Sequence, residues 1–440
     1  MAEGRGDRRE RAILAGIELK SPRKSLSDSR EFSAEESLAE LRTLAESAGA
    51  EIEDAVLQQR AARDAATLVG AGKAEELAGL VRLHEADVVI FDSELTPTQL
   101  RNLERTLDSK VVDRTQLILD IFARRARTRE GQLQVELAQL NYLLPRLTGR
   151  GAAMSRLGGG IGTRGPGETK LETDRRRINR RIQKLKQDLE AVRAGRSVQR
   201  RQRQSVPLAT MALVGYTNAG KSTLFNRLTG AGVLADARMF ATLDATVRHM
   251  MLPSKRRVLV SDTVGFIRNL PTTLVNAFRA TLEEVTEAVL LLHVADVSAP
   301  HASHYAAHVQ QVLGEIGAAE KPTILVLNKM DLATGAAGDP RAFADRLKAE
   351  AHLPEGTRAI SVSARDGTGL EDLARAIDES IELDPVAPVH FRIPASDGGS
   401  LNLLHERARI LDTRYAEDFC EVEAEAPASV RRALASYIVL

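Results

Sequence analysis

The sequence predicts an α/β protein made of several domains. Its 440 residues correspond to roughly three domains of about 150 residues each, and 43% of them are hydrophobic, which is enough for several cores. Before residue 205, leucines recur at heptad spacing and predict paired helices; after it, short apolar runs alternate with helix-like segments and predict a doubly wound parallel sheet. The expected divisions are a mobile arm over 1–30, a small α/β domain over 31–129, a helical hairpin over 130–205, a doubly wound domain over 206–383 and a small C-terminal α/β domain over 384–440.

The N-terminal arm holds many Arg, Ser and Asp residues with little periodicity, which is typical of a mobile segment. Ser33 and Glu36 then have the spacing of a capping box, so a helix is expected to begin there. Helix-like and apolar runs alternate beyond it and predict the small α/β domain. The segment Val69–Ala74 resembles a phosphate-binding loop only superficially, because Thr67 stands where the first glycine is needed and position 74 has no hydroxyl. It predicts a tight turn into a helix.

Two heptad runs predict the hairpin. The first consists of Leu133, Leu137, Leu140, Leu144 and Leu147, and the second of Leu171, Ile178, Ile182, Leu185, Leu189 and Val192. Pro145 should bend or end the first helix, and Thr169 with Glu172 can open the second as a capping box. Between the two runs, residues 158–167 read GGGIGTRGPG, which is too rich in glycine for a helix or a strand and predicts the tip of the hairpin.

Positive charge is concentrated on the second helix of this hairpin. Residues 175–204 hold twelve basic and two acidic side chains, a net charge of +10, whereas the whole chain carries +1 and the remainder therefore −9. Such a run is either a solvated helix face or a phosphate-binding surface, and its place beside the glycine-rich tip makes the two about equally well supported. Aromatic residues make up 3% of the chain, and it has no Trp, which argues against stacking of single-stranded nucleic acid and favours contacts with folded RNA.

A phosphate-binding loop follows the first strand of the doubly wound domain. Residues Gly215–Ser222 read GYTNAGKS and fit G-x-x-x-x-G-K-S between an apolar strand and a helix. The glycines let backbone N–H groups surround phosphates at a helix N-terminus. Lys221 would reach the β- and γ-phosphates, and the hydroxyl of Ser222 would bind Mg²⁺. The pattern predicts a nucleoside triphosphate site.

A second motif identifies the base. Residues Asn328–Asp331 read NKMD at the carboxyl end of a buried strand, where doubly wound domains bind ligands. The carboxylate of Asp331 can accept hydrogen bonds from both N1–H and the exocyclic N2–H of guanine, a donor pair that adenine lacks. Lys329 can lay its aliphatic stem across the base, and backbone N–H groups of Ser363 and Ala364 would complete the pocket. The predicted base is guanine.

The motif D-x-x-G appears at Asp262–Gly265, directly after a predicted strand. The carboxylate of Asp262 would hold Mg²⁺ through water, and the N–H of Gly265 would sense the γ-phosphate. In Ras-like enzymes a Gln after this motif orients the attacking water, but here the position is Phe266, which cannot bond water. Intrinsic hydrolysis should therefore be slow and should need a partner that orders the site or supplies the missing group.

The segment between these motifs, Phe240–Thr246, reads FATLDAT and predicts the other nucleotide-sensing segment. Thr242 is the preferred second hydroxyl on Mg²⁺, with Thr246 as the alternative, so the metal set is Ser222 and Thr242, and the candidate catalytic residues are Lys221, Thr242 and Gly265. The candidate nucleotide-binding residues are Gly215, Tyr216, Thr217, Asn218, Ala219, Gly220, Lys221, Ser222, Phe240, Ala241, Thr242, Leu243, Asp244, Asp262, Thr263, Val264, Gly265, Asn328, Lys329, Met330, Asp331, Ser363, Ala364 and Arg365.

The C-terminal residues add structure without visible chemistry. Residues 390–393 and 419–423 predict strands, and a helical stripe is formed by Leu401, Leu404, Ala408 and Leu411. His390, His405 and Cys420 lack metal-ligand spacing and predict packing or surface positions.

Several features predict a soluble, cytoplasmic chain. Cys420 is its only cysteine, so it forms no internal disulfide and suits a reducing compartment. The longest apolar stretch, residues 288–297, is far shorter than the roughly 20 residues of a membrane span and contains His293 and Asp296. The charged N-terminus is followed by no apolar segment of signal-peptide type.

In order and content these motifs resemble the HflX family of ribosome-associated GTPases. The shared elements are GYTNAGKS, FATLD, DTVGF, NKMD and SA, preceded by VVDRTQLILDIFARRA and GGIGTRGPGETKLETDRR. The resemblance covers about residues 30–440, and the glycine-rich element is its most diagnostic part. Ala245 stands where the family usually has Pro, a change that could loosen this segment but removes no ligand.

The resemblance implies GTP as substrate, Mg²⁺ as cofactor and the 50S ribosomal subunit with its rRNA as partner, with the 70S ribosome as a further candidate. The N-terminal domain and hairpin would bind the large subunit, the glycine-rich tip would approach the peptidyl-transferase region, and the protein would split stalled ribosomes. The alternative is a GTPase that serves tRNA modification or RNA processing. We expect a monomer. Asn218 could also help to hold K⁺ beside the phosphates, or could simply tolerate an unusual backbone angle.

Overall fold

The architecture comes from a computed structural model. It describes residues 9–19, 33–149, 166–204, 208–232, 239–240, 242–243, 245–254, 256–268, 279–333, 339–381, 387–416, 418–426 and 428–439.

The N-terminal domain is a four-stranded parallel sheet flanked by helices. Its strands are β1 (Arg11–Leu19), β2 (Glu51–Arg60), β3 (Val88–Phe91) and β4 (Lys110–Asp113), in the order β2-β1-β3-β4. Its helices are α1 (Ala34–Ser47), α2 (Ala71–His84), α3 (Pro97–Leu107) and α4 (Arg114–Arg125). The capping box of Ser33 and Glu36 is present at the start of α1, and α2 follows the predicted turn at Gly70, whose φ is +82°.

The prediction of a mobile arm over 1–30 is wrong for Arg11–Leu19. This segment is a central strand of the sheet, paired with β2 on one side and β3 on the other. Its residues Ala12–Ala15 form a continuous apolar run and are all buried, as expected for a strand that is covered on both faces. The prediction failed because it was based on the composition of residues 1–30 as a whole, in which charged residues outnumber this short apolar run. Residues 1–8 and 20–30 lie outside the described residues.

The hairpin is formed by α5 (Arg129–Leu143), a short 3₁₀ helix (Leu144–Gly149) and α6 (Pro166–Gln204). Leu133 of α5 packs against Leu185 and Leu189 of α6, so the two heptad runs are paired over this part. Leu144 and Leu147 of the first run lie in the 3₁₀ helix and do not continue the heptad spacing of α5. The first helix ends before Pro145, as predicted.

The second helix of the hairpin begins earlier than the capping box predicted. Thr169 is already inside α6, whose first residue is Pro166, so it is not the cap. Proline suits the first helical position because its missing N–H has no partner there in any helix. The predicted tip up to residue 165 lies outside the described residues.

The doubly wound domain contains a six-stranded sheet in the order β10-β9-β8-β5-β7-β6. Its strands are β5 (Thr210–Gly215), β6 (Thr246–Met251), β7 (Arg257–Asp262), β8 (Leu290–Asp296), β9 (Thr323–Asn328) and β10 (Arg358–Ser361). Its helices are α7 (Lys221–Thr229), α8 (Arg279–Glu287), α9 (Ala302–Glu315), α10 (Pro340–Ala351) and α11 (Leu370–Ser380). All strands are parallel except the edge strand β6, which runs antiparallel to β7. The predicted α/β fold class is confirmed.

The C-terminal domain is a small antiparallel sheet with two helices. Its elements are β11 (Ala387–Pro394), α12 (Gly398–Arg407), β12 (Arg409–Tyr415), β13 (Phe419–Ala426), α13 (Ala428–Ala433) and β14 (Ile438–Val439). Leu411 does not belong to the helical stripe as predicted: α12 ends at Arg407, and Leu411 lies half-exposed on β12. Cys420 is buried in the core. Within the part of the chain that is described, no helix is long and apolar enough to cross a membrane.

The N-terminal and doubly wound domains share one hydrophobic core. Leu41 and Phe122 of the first domain and Phe240, Phe266 and Ile267 of the second belong to the same buried cluster. Phe122 and Phe240 meet edge to face, with ring centroids 4.5 Å apart. The two domains are therefore packed together beside the phosphate-binding loop.

Candidate nucleotide site

A cavity of about 550 Å³ opens at the carboxyl ends of the parallel strands, a size suited to a nucleotide. The three predicted motifs converge on it from different strands, because the carboxyl ends of parallel strands share one edge of the sheet. Residues from the predicted set that line it are Thr217, Asn218, Gly220, Lys221, Ser222, Phe240, Thr242, Thr263, Gly265, Asn328, Lys329, Asp331, Ala364 and Arg365.

The phosphate-binding loop joins β5 to α7 and needs two left-handed residues, Asn218 with φ +61° and Gly220 with φ +89°. A Cβ at Gly220 would lie only 2.3 Å from Nδ2 of Asn328, so glycine is required there on two counts. Lys221 is the first residue of α7 and is buried; its Nζ donates to the carbonyl oxygens of Gly215 at 3.0 Å and of Tyr216 at 2.8 Å. Burial lowers the pKa of Lys221 to about 8.

Two hydroxyls and one carboxylate meet at one corner of the cavity. The Oγ of Ser222 lies 2.8 Å from both Oγ1 of Thr242 and Oδ2 of Asp262, and Thr242 donates to that same Oδ2 at 2.7 Å. Burial raises the pKa of Asp262, against the opposing effects of these hydrogen bonds and of Lys221. The other oxygen, Oδ1, is buried without a hydrogen-bond partner among the described residues.

This corner has the oxygen ligands that a hard divalent cation prefers, and the unpartnered oxygen of a buried carboxylate is what such a cation would neutralise. Of the two predicted alternatives, Thr242 lies beside Ser222, whereas Thr246 lies on β6, paired through its backbone with Asp262. The residues present therefore fit Mg²⁺.

The base side of the cavity is fixed by Asn328. Its Nδ2 donates to the carbonyl of Ala219 at 2.8 Å, and its Oδ1 accepts from the N–H of Ala364 at 3.0 Å. Ser363 donates to Oδ1 of the exposed Asp331 at 2.8 Å. These bonds tie the phosphate-binding loop, the end of β9 and the loop after β10 into one wall.

Lys329 lies at the edge of this wall in a left-handed conformation, with φ +65°. Its Nζ is 2.7 Å from Oδ2 of Asp296 at the end of β8. The backbone of Arg365 accepts a hydrogen bond from Arg227 of α7, which also donates to the carbonyl of Ala364 at 3.1 Å. In the described part of the chain, these contacts anchor the base-side loops within the doubly wound domain.

Gly265 faces the phosphate-binding loop at close range. A Cβ there would come within 2.9 Å of Thr217 and 3.0 Å of Nζ of Lys221. The next residue, Phe266, is buried in the core shared with the N-terminal domain and does not line the cavity. This placement agrees with the prediction that Phe266 cannot orient the attacking water.

Some predicted residues support the cavity through hydrogen bonds, and others lie outside its lining. Thr217 donates its N–H to the carbonyl of Phe266 at 2.8 Å, and Thr263 donates its hydroxyl to the carbonyl of Leu213 at 2.6 Å. Residues of the predicted set outside the lining are Gly215, Tyr216, Ala219, Leu243, Asp262, Val264, Met330 and Ser363. Ala241 and Asp244 lie outside the described residues.

Sequence reasoning missed the residues that hold Tyr216. Its hydroxyl donates to Glu40 of α1 and accepts from the N–H of Arg268 at 3.0 Å, and its ring stacks on Tyr305 with centroids 4.2 Å apart. Burial, followed by the nearby charge of Glu40, raises the pKa of Tyr216. Glu40 is 176 positions away in the chain, so no local pattern could have found it.

His293 is another buried polar residue to which the sequence assigned no role, and it does not line the nucleotide cavity. It lies on β8 and is almost completely buried, and burial followed by the charge of Lys221 lowers its pKa to about 4. Its position inside an apolar run of the sequence was the one available signal, since a polar residue in such a run needs a reason. It is therefore neutral at physiological pH.

Comparison with known proteins identifies the family. Three family profiles match: "GTP-binding GTPase N-terminal" over residues 35–123, "GTP-binding GTPase Middle Region" over 125–203 and "50S ribosome-binding GTPase" over 210–329. The chain is also similar to a GTP-binding protein from Sulfolobus solfataricus whose crystal structure was solved in complex with GDP. The two are 25% identical, the match covers 84% of this chain and 98% of that one, and the TM-score is 0.46.

Curated relatives match at higher identity and over greater length. GTPase HflX of Caldanaerobacter subterraneus is 45% identical over 98% of this chain and 94% of that protein. GTPase HflX of Alkalihalophilus pseudofirmus is 52% identical over 93% and 91%, and that of Escherichia coli is 46% identical over 82% and 83%. With such identity over nearly its whole length, the chain belongs to the HflX family of GTPases.

Proposed function

We propose that this GTPase binds the large ribosomal subunit and couples GTP binding to the dissociation and rescue of stalled ribosomes, with hydrolysis stimulated by the ribosome. In this proposal the protein acts as a monomer in the cytoplasm. The observation that carries it is the basic helix α6, because its charge is directed outward and its apolar face is already occupied by the hairpin partner.

The described part of α6 separates the two faces clearly. Ile182, Leu185 and Leu189 are buried. The exposed basic side chains are Arg175, Arg176, Arg177, Arg180, Arg181, Lys184 and Lys186. One of them, Arg181, pairs with Glu136 of α5 at 2.6 and 2.7 Å, while the row as a whole forms a positive surface along the helix. Such a surface suits the phosphate backbone of a folded RNA.

The nucleotide cavity supports the chemistry of the proposal. Lys221 would place its charge on the β- and γ-phosphates, and the N–H of Gly265 would face the γ-phosphate. Ser222 and Thr242 would hold Mg²⁺ directly, and Asp262 through water. When bound, Mg²⁺ would supply positive charge that neutralises charge developing on the phosphates during transfer.

The base would be recognised by Asp331, which accepts from two guanine donors while Ser363 holds its carboxylate in place. The predicted base contacts through the backbone N–H groups of Ser363 and Ala364 do not form in this conformation, because these groups donate to the carbonyl of Thr368 and to Oδ1 of Asn328. Lys329 would cover one face of the base with its stem, since its charge is held by Asp296.

Stimulation by a partner follows from Phe266. Because its side chain is buried away from the cavity, the chain itself provides no hydrogen-bonding group at the position that orients water in Ras-like enzymes. The ribosome would order the two nucleotide-sensing segments, Phe240–Thr246 and Asp262–Gly265, or supply that group. Asn218, whose side chain is exposed at the cavity, could hold K⁺ beside the phosphates. The alternative is that Asn occurs here because it tolerates the left-handed backbone conformation, with φ +61°. Unchanged turnover when Na⁺ replaces K⁺ would exclude the potassium role.

Co-sedimentation tests the partner. We expect the chain to pellet with 50S or 70S particles in the presence of a non-hydrolysable GTP analogue, and less with GDP or with 30S particles. Substituting Arg177, Arg180 and Lys184 by Gln should weaken pelleting and make it less dependent on salt. Each phosphate contact that is lost lowers the number of counterions released on binding.

A matched control removes the same charge elsewhere. Arg341, Arg346 and Arg375 are exposed on α10 and α11, and their substitution by Gln should leave pelleting unchanged. Absence from all particles in every nucleotide state would contradict the proposal, and tight binding to isolated tRNA without subunits would favour a role in RNA modification or processing.

A further inference from the structure

A group of two histidines and one glutamate lies where the N-terminal domain meets the doubly wound domain. Glu36 is in the first turn of α1. His301 is the N-cap residue of α9, and His304 lies in the first turn of that helix. One ligand atom from each of the three residues lies within 4.8 Å of the others.

The geometry of these side chains is close to that of a metal site. Oε1 of Glu36 is 2.9 Å from Nε2 of His301, and the two imidazole rings are nearly parallel, with centroids 5.9 Å apart. A zinc ion holds His nitrogen and carboxylate oxygen at about 2.0–2.2 Å in tetrahedral geometry, so two ligand atoms of one ion lie roughly 3.4 Å apart. The atoms of Glu36 and His301 are already closer than this, and side-chain movements of about 1 Å would bring all three atoms to one ion.

Glu36 is held in place by its second oxygen. Oε2 accepts the N–H of Ser33 at 3.1 Å in the capping box of α1, which leaves Oε1 directed at the histidines. Helix α1 thus fixes one ligand, and the start of α9 fixes the other two. A site whose ligands are fixed by packed elements loses little conformational freedom on binding.

The neighbouring cavity gives the site access and room. About 350 Å³ in volume, it lies between the two domains and is lined by Glu36, His301 and Tyr305 among others. The side chain of His301 is 34% exposed and that of Glu36 is 19% exposed, so an ion could enter and a water molecule could complete its coordination.

We propose that Glu36, His301 and His304 bind a divalent transition-metal ion of the zinc type and thereby join the N-terminal domain to the GTPase domain. Two imidazoles and a carboxylate with one open position are a recurring zinc-ligand set. Mg²⁺ and Ca²⁺ prefer oxygen ligands throughout and are not expected here. The site is separate from the predicted Mg²⁺ corner and shares none of its ligands.

Zinc titration of the full, untagged chain tests this assignment. With excess Mg²⁺ and GDP present to occupy the nucleotide site, calorimetry should show one tight Zn²⁺ site in the unmodified chain. Glu36→Gln, His301→Gln and His304→Gln should each weaken binding at least about tenfold, because even residues that only orient metal ligands contribute about 10–100-fold to affinity. Glu36→Gln retains a residue that completes a capping box, so α1 should still form.

His249→Gln is the matched control, because His249 is exposed on β6, away from the site. Zn²⁺ should also slow amide hydrogen exchange in α1 and at the start of α9 in the unmodified chain and in the control, but not in the three site variants. Circular dichroism without metal would verify that each variant is folded. Equal zinc affinity in the unmodified chain and the site variants, or no saturable binding at all, would overturn the proposal.

Discussion

The two sides of the nucleotide cavity are held in different ways. On the base side, the hydrogen bonds that Asn328 and Ser363 form among the described residues lie within the GTPase domain. On the phosphate side, Phe240 packs on Phe122 of the N-terminal domain, and the N–H of Met239 donates to Ser47 of α1 at 3.1 Å. The proposed base recognition is therefore a local property, whereas the segments proposed to sense the γ-phosphate share their contacts with another domain.

The connection continues through the residues after D-x-x-G. Arg268 donates through its backbone to Tyr216 and through its guanidinium to Ser37 of α1. Glu40, which accepts from Tyr216, also pairs with Arg114, and Arg114 pairs with Asp92 at 2.7 Å. A change at the phosphate side is thus expected to reach the N-terminal domain, while a change at the base side is not.

The largest expected effect lies at Gly265. In Gly265→Ala the added Cβ would come within 3.0 Å of Lys221 and of Thr217, which would displace the N–H proposed to face the γ-phosphate. Loss of one such donor typically lowers turnover about 10²–10³-fold. Phosphate release should fall by this amount, while affinity for GDP, which lacks the γ-phosphate, should change little.

Gly232→Ala is the control for this substitution, since a Cβ there meets nothing within 4 Å. If Gly265→Ala reduced GDP affinity as strongly as turnover, the defect would be a general distortion of the loop and the assigned role of this N–H would be wrong.

The base side provides the next largest effect. In Asp331→Asn the side chain loses one acceptor and gains a donor, so GTP affinity should fall about 10–100-fold, the range for a lost bidentate contact to a base. Xanthosine triphosphate, whose O2 is an acceptor, should bind better than GTP. Competition against a fluorescent GDP measures both. Asp366→Asn, a nearby exposed change, is the control, and retained preference for GTP would contradict the base assignment.

The contact between domains should have a smaller and more distant effect. Tyr216→Phe removes the hydroxyl that bonds Glu40 and Arg268, which should cost about 1.5 kcal/mol, or roughly tenfold in the equilibrium for local opening. Native-state hydrogen exchange in α1 should report this change. Tyr415→Phe, at a side chain 75% exposed in the C-terminal domain, is the control. Faster exchange confined to the base-side loops would contradict the inference that the phosphate side, and not the base side, is connected to the N-terminal domain.

Functional motifs that lie within one domain were predictable from the sequence, whereas contacts between domains were not. The strand ends at Asp262 and Asn328 were predictable because a functional motif directly follows each apolar run. Strand β1 was missed, because a nine-residue strand between charged segments carries no local motif. The bond between Tyr216 and Glu40 joins residues 176 positions apart and depends on how two domains pack, which no periodicity in either domain encodes.

The smallest expected effect concerns Lys221. Burial lowers its pKa to about 8 in the free protein, and bound phosphates favour its charged form, so its pKa rises in the complex. Nucleotide affinity should therefore be highest well below pH 8. It should decline as the pH rises through 8 toward the higher pKa that Lys221 has in the complex. Linkage gives about a fourfold weaker affinity for GDP at pH 8.5 than at pH 7. Guanosine, which has no phosphates for Lys221 to contact, should show no such decline when its binding is measured by calorimetry. Equal pH dependence for the two ligands would assign the decline to the base side, because Asp331 and its guanine contacts are the part of the site that both ligands share.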